Sequence, residues 1–189
     1  MIRFLFAASL LVPPLCCHAG EDDDYMNAAT IRASDIPADA PAFARYPAGP
    51  AYSGKPAAAD VRTHARSRMF RTVIREGAKS PPNFAGHYTV VDWGCGSGCV
   101  AHAIVDARTG AVFHPPQFTY TDNENLEYDE VTKPDGATVK FRLDSKLLIV
   151  IGGINEDPAL RGVSYFLWDK NRLKRLRFVH RPYDAKARE

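Results

Sequence analysis

Two cysteines near the middle of the chain are the first residues whose type and spacing could support chemistry. Cys95 and Cys99 flank a Gly-Ser-Gly triplet within HYTVVDWGCGSGCVAHAIV, residues 87 to 105. A continuous strand would separate their Cα atoms by about 13 Å, whereas a disulfide needs a separation below roughly 7 Å. A three-residue hairpin loop with Gly98 in the left-handed region brings Cys95 opposite Cys99. The C-x-x-x-C spacing favours a structural disulfide over a redox-active pair, for which C-x-x-C is typical.

The serine between the cysteines does not fit the known motifs for a nucleophile or a phosphate loop. A nucleophile elbow needs glycine two residues before the serine and a helix after it, whereas Cys95 precedes Ser97 and a strand follows. A phosphate-binding loop needs glycines that open a helix and a following lysine, and both are absent. Two cysteines supply only half of a zinc site. The sequence therefore predicts neither a metal nor a cofactor.

Four side chains on and near the strands that flank the turn form a second candidate site. In the hairpin register that pairs Cys95 with Cys99, Asp92 lies opposite His102. A three-residue loop within DARTG would then place His114 opposite His102, and His87 lies just before the first strand. A carboxylate beside imidazoles can act as an acid–base group or a partial metal site. The alternative is a structural polar ladder, and an even-numbered DARTG loop would move His114 to the other face.

Surface residues suggest where a partner could bind. The exposed tip of the hairpin consists of Gly96, Ser97 and Gly98. A predicted amphipathic helix within residues 57–79 carries an apolar face and an arginine-rich outer face, for which a solvated surface is favoured over a docking surface. The apolar face comprises Val61, Ala65, Met69, Val73 and Ile74, and the outer face Arg62, Arg66, Arg68, Arg71 and Arg75.

The elements that must position these residues are mostly strands. Runs rich in β-branched and aromatic residues alternate with turn sequences, which predicts an antiparallel meander or small sandwich of about seven strands with one N-terminal helix. The predicted strands are 87–95, 99–106, 111–116, 137–143, 147–152, 163–168 and 173–180. Residues 117–133 form a polar, acid-rich loop. Its carboxylates could bind Ca²⁺, but the spacing lacks the EF-hand pattern, which favours a solvated loop.

The N-terminus predicts export. Residues 1–19 combine Arg3, an apolar run and a small-x-small cleavage site ending at Ala19, as a signal peptide does. Lipoprotein processing through Cys16 or Cys17 is the alternative, although Leu15 fits it poorly. Cleavage would leave Cys95 and Cys99 in the oxidising periplasm or secreted medium.

The rest of the chain has room for one domain. Residues 20–57 are an extended Ala/Pro-rich leader, with short docked pieces around Phe43 and Tyr46; residues 58–182 are a single β-rich domain; residues 183–189 are a flexible tail. The net charge of +2 gives no argument for nucleic-acid binding. After the signal no segment is apolar enough to span a membrane.

Two motifs carry a resemblance. At NFAGHY, residues 83–88, and WGCGSGC, residues 93–99, the chain resembles a group of small exported proteins of Gram-negative bacteria. The resemblance covers about residues 68 to 178. It implies a periplasmic β-rich domain with its cysteines in a hairpin, and it implies no activity.

These observations leave three hypotheses for function. The first is a periplasmic binding protein of inhibitor or immunity type, whose partner is another periplasmic protein. The second is a small hydrolase or metal-dependent enzyme that uses Asp92, His102 and His87. The third is thiol redox chemistry at Cys95 and Cys99. The absence of a complete catalytic constellation favours the first.

Overall fold

The computed structural model describes residues 29–134 and 136–182. The predicted signal peptide and the predicted tail lie outside these residues. The described chain forms eight strands: β1 Tyr88–Gly96, β2 Cys99–Asp106, β3 Val112–Phe113, β4 Tyr120–Asp122, β5 Val139–Phe141, β6 Leu147–Ile154, β7 Asp157–Asp169 and β8 Arg172–His180. Its helices are α1 Ala65–Met69, α2 Arg71–Gly77 and α3 Tyr128–Val131, together with short 3-10 turns at Ala33–Asp35, Phe43–Arg45 and Pro116–Phe118.

All eight strands belong to one antiparallel sheet. Its main order is β1-β2-β4-β6-β7-β8, with β3 paired to β2 and β5 paired to β6. The expectation of a mainly β, antiparallel fold with few helices is thus confirmed. Consecutive strands that pair through tight turns account for most of this topology.

The sheet curls around an aromatic core. Tyr88 on β1 and Trp168 on β7 are distant in strand order, yet their ring centroids are 5.2 Å apart. Phe113 on β3 lies 5.8 Å from the same indole. Because a right-handed twist accumulates across many strands, the two halves of the sheet can close over one apolar cluster. This cluster, the inner core, comprises Phe84, Ala85, Tyr88, Val90, Ile104, Phe118, Leu148, Val150, Ile154, Phe166, Trp168 and Leu173.

The helices cover the outer face of β1 and β2. Val91, Ala103 and Val105 form a second cluster with Ile74 of α2 and with Val61. The predicted single helix is wrong, because the chain breaks at Phe70 into α1 and α2. The apolar assignment also fails at two positions: Ala65 is exposed, and Met69 is 74% exposed.

The segment before the helices packs on the outer face of β6 and β7. Ile31, Phe43 and Tyr46 join or flank a third cluster with Leu147, Ile151, Val163 and Tyr165. The Ser145 hydroxyl lies 2.9 Å from the Phe43 carbonyl oxygen and 3.0 Å from that of Tyr46. Residues around Phe43 and Tyr46 are therefore docked by apolar and hydrogen-bonding contacts.

The predicted loop 117–133 is more structured than its composition suggests. It contains the short strand β4, which lies between β2 and β6 in the sheet, and the one-turn helix α3. The close approach of β4 to β6 depends on two glycines, because a Cβ at Gly152 would lie 2.0 Å from the Asp122 carbonyl oxygen and one at Gly153 would clash with the Asp122 carboxylate. The strand β4 was not predicted because its residues are mostly polar and do not show the alternation of apolar and polar residues that is typical of a strand.

None of the helices in these described parts of the chain is long and apolar enough to cross a membrane.

Candidate functional site

The hairpin of β1 and β2 has the predicted disulfide and tip. Cys95 and Cys99 are bonded with a Cα–Cα distance of 5.2 Å. Gly98 has φ of +67°, in the left-handed region, as the turn requires. A bulge between Gly94 and Gly96 shifts the register at the tip, so that Gly96 rather than Cys95 pairs with Cys99. The residues from Gly94 to Ser97 are exposed, so the closed tip projects into solvent.

A cleft of about 270 Å³ opens beside this tip. Ser97 and Cys99 line one side of the cleft, and Tyr120 and Thr121 of β4 also line it. Four carboxylates line the cleft or its rim: Asp122, Glu124, Glu156 and Asp157. Asp122 Oδ1 accepts a hydrogen bond from the Gly153 amide at 3.2 Å, which holds it against β6. The cleft therefore combines a rigid rim with a negative lining.

The predicted row of Asp92, His102 and His114 is wrong. Asp92 does pair with His102, but the DARTG loop has four residues, because the Asp106 amide donates to the Ala111 carbonyl at 2.9 Å and Val105 pairs with Val112. A side chain alternates between faces along a strand, so this register carries His114 to the face covered by α1.

His102 is a core residue. It is only 2% exposed, its ring stacks on Phe118 with centroids 4.1 Å apart, and its Nε2 lies 2.8 Å from Thr121 Oγ1. Burial, reinforced by the positive charge of Arg66, lowers the pKa of His102 to about 3. The imidazole is therefore neutral at neutral pH and enclosed away from any substrate.

His114 contacts α1 rather than His102's side chain. Its Nε2 lies 2.7 Å from Ser67 Oγ, and its ring centroid lies 4.8 Å from that of His64. Burial first, then the charges of His64 and Arg66, lowers the pKa of His114 to about 4. A Ser–His pair of this geometry is the arrangement of an activated nucleophile, but Ser67 is 0% exposed and cannot meet a substrate. The pair instead fastens α1 to the sheet.

His87 lies just before the start of β1, whereas Asp92 lies in the middle of the strand. His87 Nε2 is 3.9 Å from Asp106 Oδ2, and burial together with the nearby Arg108 lowers the pKa of His87. Asp92 is exposed four residues beyond the start of the strand, which separates the two by more than about 13 Å. His87 therefore lies apart from the cross-strand pair of Asp92 and His102, and within that pair Asp92 is exposed whereas His102 is buried.

The predicted arginine face is only partly a free surface. Arg68, Arg71 and Arg75 are exposed on α1 and α2. Arg68 Nη1 donates to the Arg62 carbonyl at 2.7 Å. Arg66 is not on the outer face: its guanidinium lies 4.3 Å above the Tyr120 ring and donates to the Tyr120 hydroxyl at 2.5 Å. Through this cation–π contact and hydrogen bond, Arg66 connects α1 to β4.

The carboxylates of the acid-rich loop, for which Ca²⁺ binding was the less favoured alternative, are spread over two elements. Asp122 and Glu124 line the cleft, whereas Glu127, Asp129 and Glu130 lie at α3. Glu130 pairs with Lys133 at 2.8 Å. Among residues 29–134 and 136–182, no three His, Cys, Asp or Glu side chains form a group that could hold a metal ion.

One important residue escaped the sequence analysis. Arg161 on β7 is 0% exposed, and its guanidinium donates to the carbonyls of Ala29, Arg181, Glu124 and Asn125 at 2.6 to 3.0 Å. No motif surrounds it, and the predicted strand 163–168 begins after it, so no signal in the sequence marked this residue. It secures the base of the cleft, whose lining it joins.

Comparison of the chain with family models, with curated proteins and with solved structures finds no match.

Proposed function

We propose that this protein is an exported, periplasmic β-rich binding protein of inhibitor or immunity type. The observation that supports this most directly is the disulfide-closed tip of the β1–β2 hairpin, exposed on the rim of the 270 Å³ cleft. A short closed loop loses little conformational entropy when a partner binds, which favours affinity.

The charge of the cleft specifies the kind of contact. Asp122, Glu124, Glu156 and Asp157 surround a space that fits one long side chain. A lysine or arginine of the partner would gain charge-assisted hydrogen bonds there, while Gly96, Ser97 and Gly98 would contact its surrounding surface. The partner is thus a protein that presents a basic side chain near a concave surface.

Export is the second part of the proposal and rests on residues 1–19. Cleavage after Ala19 would deliver the chain to a compartment where the Cys95–Cys99 bond persists. Intact mass measurement of the protein from the periplasmic fraction tests this. A mass that includes residues 1–19, or a lipid-modified Cys16 or Cys17, would contradict it.

The enzyme hypothesis has less support. Asp92 is exposed in the middle of β1, its cross-strand partner His102 is buried, and His87 faces Asp106 just before the start of β1. General acid–base catalysis requires such groups within hydrogen-bond reach of one substrate.

Site-specific photocrosslinking tests the binding proposal. A photoreactive amino acid at Ser97 should crosslink one discrete protein in the periplasm of the producing cells. The matched control places the same group at Lys174, an exposed position on β8, at the opposite edge of the sheet. Adducts that are absent at Ser97, or identical at both positions, would contradict the proposal.

Charge variants test the role of the cleft. The double substitution Glu156→Gln and Asp157→Asn removes two negative charges at the rim and keeps the side-chain shapes. It should lower the yield of the Ser97 adduct severalfold, whereas Asp129→Asn on α3 should leave it unchanged. An undiminished yield would mean that the tip binds without the cleft.

A further inference from the structure

A second cavity lies at the end of β1 opposite the hairpin tip. Its volume is about 330 Å³. The NFAGHY segment forms one side through Ala85, His87 and Tyr88, and the segment before the helices closes another through Gly49 and Pro50. Since β1 spans nine residues, this cavity and the tip are separated by roughly 25 Å.

Three cations from separate turns converge on this cavity. Arg108 follows β2, Lys146 precedes β6, and Lys170 lies between β7 and β8. All three side chains are exposed, and within the described ranges none of them forms an ion pair with a carboxylate. Asp169 supplies the one carboxylate of the lining. The cavity therefore has a surplus of two positive charges.

Two largely buried aromatic residues, Tyr88 and Trp168, line the inner side of the cavity. Trp168 is 3% exposed and meets the Tyr88 ring edge to face, with centroids 5.2 Å apart. The Tyr88 hydroxyl donates to Asn171 Oδ1 at 2.7 Å, which fixes the ring. This inner side would accept a flat or apolar group, and burial of such a group adds affinity to the charge contacts.

His87 adds a polar contact without a charge. Burial, and then the charge of Arg108, lowers the pKa of its imidazole, with Asp106 acting in the opposite direction. The neutral ring can donate or accept one hydrogen bond at the cavity wall.

We propose that this cavity binds a small dianion, a phosphate monoester or a dicarboxylate, with a ring or apolar body that rests on Trp168 and Tyr88. The volume lies at the lower end of the range for small-molecule sites, about 300 to 1,000 Å³. Arginine suits bidentate contact with either anionic group, and two lysines supply point charges. This inference is independent of the partner proposed for the hairpin tip.

Titration of the mature protein with phenyl phosphate and with phthalate tests the proposal. We expect saturable one-site binding of at least one of them, with a shift of the Trp168 indole N–H resonance and a loss of affinity as salt increases. Benzyl alcohol, which has the ring without the charge, should bind at least tenfold more weakly. Binding of the phosphate ester alone or of the dicarboxylate alone identifies the preferred group, and each result supports the proposal.

Charge variants locate the site. Arg108→Gln and Lys170→Gln should each weaken binding by about tenfold, because each removes a charge-assisted contact. Lys174→Gln removes an exposed cation outside the cavity and should change affinity less than twofold. The proposal is overturned if neither dianion saturates, if the Trp168 resonance is unmoved, or if Lys174→Gln weakens binding as much as Arg108→Gln does. Thermal unfolding of each variant separates lost binding from lost fold.

Discussion

At the residue scale, His102 is the clearest case of a side chain whose environment decides its role. Phe118 stacks on one face of its ring, and Thr121 holds Nε2 at 2.8 Å. Its pKa of about 3 lies below the ordinary value of 6.5 because burial disfavours the charged imidazolium. Protonation of His102 is therefore coupled to unfolding.

The first prediction concerns the pH dependence of stability. Between pH 6.5 and 3 the unfolded chain binds a proton at residue 102 that the folded chain does not. Protonation of His102 therefore does not lower the free energy of unfolding above pH 6.5. As the pH drops from 6.5 toward 3, this group lowers the free energy of unfolding by roughly 3 to 5 kcal/mol. Urea unfolding at several pH values measures it.

A matched pair of variants assigns this effect. His102→Gln should flatten the pH dependence, although His114, with a pKa of about 4, contributes in the same direction. His180→Gln removes an exposed histidine from β8 and should leave the slope unchanged. Equal slopes for wild type and His102→Gln would show that His102 does not titrate in this way.

The second prediction concerns Arg161, whose guanidinium binds four backbone carbonyls. Arg161→Met keeps most of the side-chain volume but removes the guanidinium donor from all four carbonyls, of which that of Asn125 still accepts from the Ile31 amide. We expect a loss of about 3 to 5 kcal/mol in the free energy of unfolding. Arg172→Met, at an exposed position on β8, should cost less than about 0.5 kcal/mol. A small effect of Arg161→Met would mean that water replaces the guanidinium.

At the element scale, the break between α1 and α2 determines which apolar side chains are buried. Phe70 turns inward, 4.9 Å from the Trp93 ring and 5.2 Å from the Arg66 guanidinium, whereas Met69 is 74% exposed. A continuous helix would have buried Met69. The N-cap at His64 and the change of backbone at Phe70 redirect the chain instead.

The third prediction follows from this break. Phe70→Ala should lower the free energy of unfolding by about 2 kcal/mol, because it removes a partly buried ring from the outer cluster. Met69→Ala should change it by less than about 0.5 kcal/mol. Denaturant unfolding of the two neighbours compares them directly. A larger loss for Met69→Ala than for Phe70→Ala would mean that Met69 is the buried side chain, as a single continuous helix requires, and would contradict the break at Phe70.

Seven of the eight strands in the described residues were predictable from the sequence, because their residues alternate or are uniformly apolar, whereas the polar strand β4 was not. The pairing of Asp92 with His102 followed from turn geometry alone. The pairing of β2 with β3 did not, because Asp106 caps the turn through the Arg108 amide and Gly110 adopts φ of +77°, which makes a four-residue loop. The cleft beside the hairpin tip and the cavity at the other end of β1 were not predictable, since each is lined by turns that are far apart in the chain.

At the scale of the whole molecule, the segment from Ala29 to Pro47 is part of the fold. Ile31, Phe43 and Tyr46 pack with Leu147 and Ile151 on the outer face of the sheet. The Lys146 amide also donates to the Tyr46 carbonyl at 2.8 Å. This segment therefore packs at defined positions on the sheet, although its composition is rich in alanine and proline.

The fourth prediction tests this dependence. A chain that begins at Ala48 loses the cover of the third cluster, and burial of three large side chains is worth on the order of 5 kcal/mol. We expect a lower urea midpoint and binding of a hydrophobic dye. A chain that begins at Ala29 should match the mature protein in both measurements. Equal midpoints for the two truncated chains would show that the segment is dispensable.

The contacts of Arg161 also constrain the order in which the chain can fold during its synthesis. Its Nη1 donates to Ala29 at one end of the described chain and to Arg181 at the other, so the two ends are joined through a single side chain. A polypeptide that emerges N-terminus first cannot complete this junction until β8 has emerged. Contacts between distant parts of a chain also form late and slowly. The junction between the two ends of the described chain therefore forms only when synthesis of residues 29–182 is complete or nearly so.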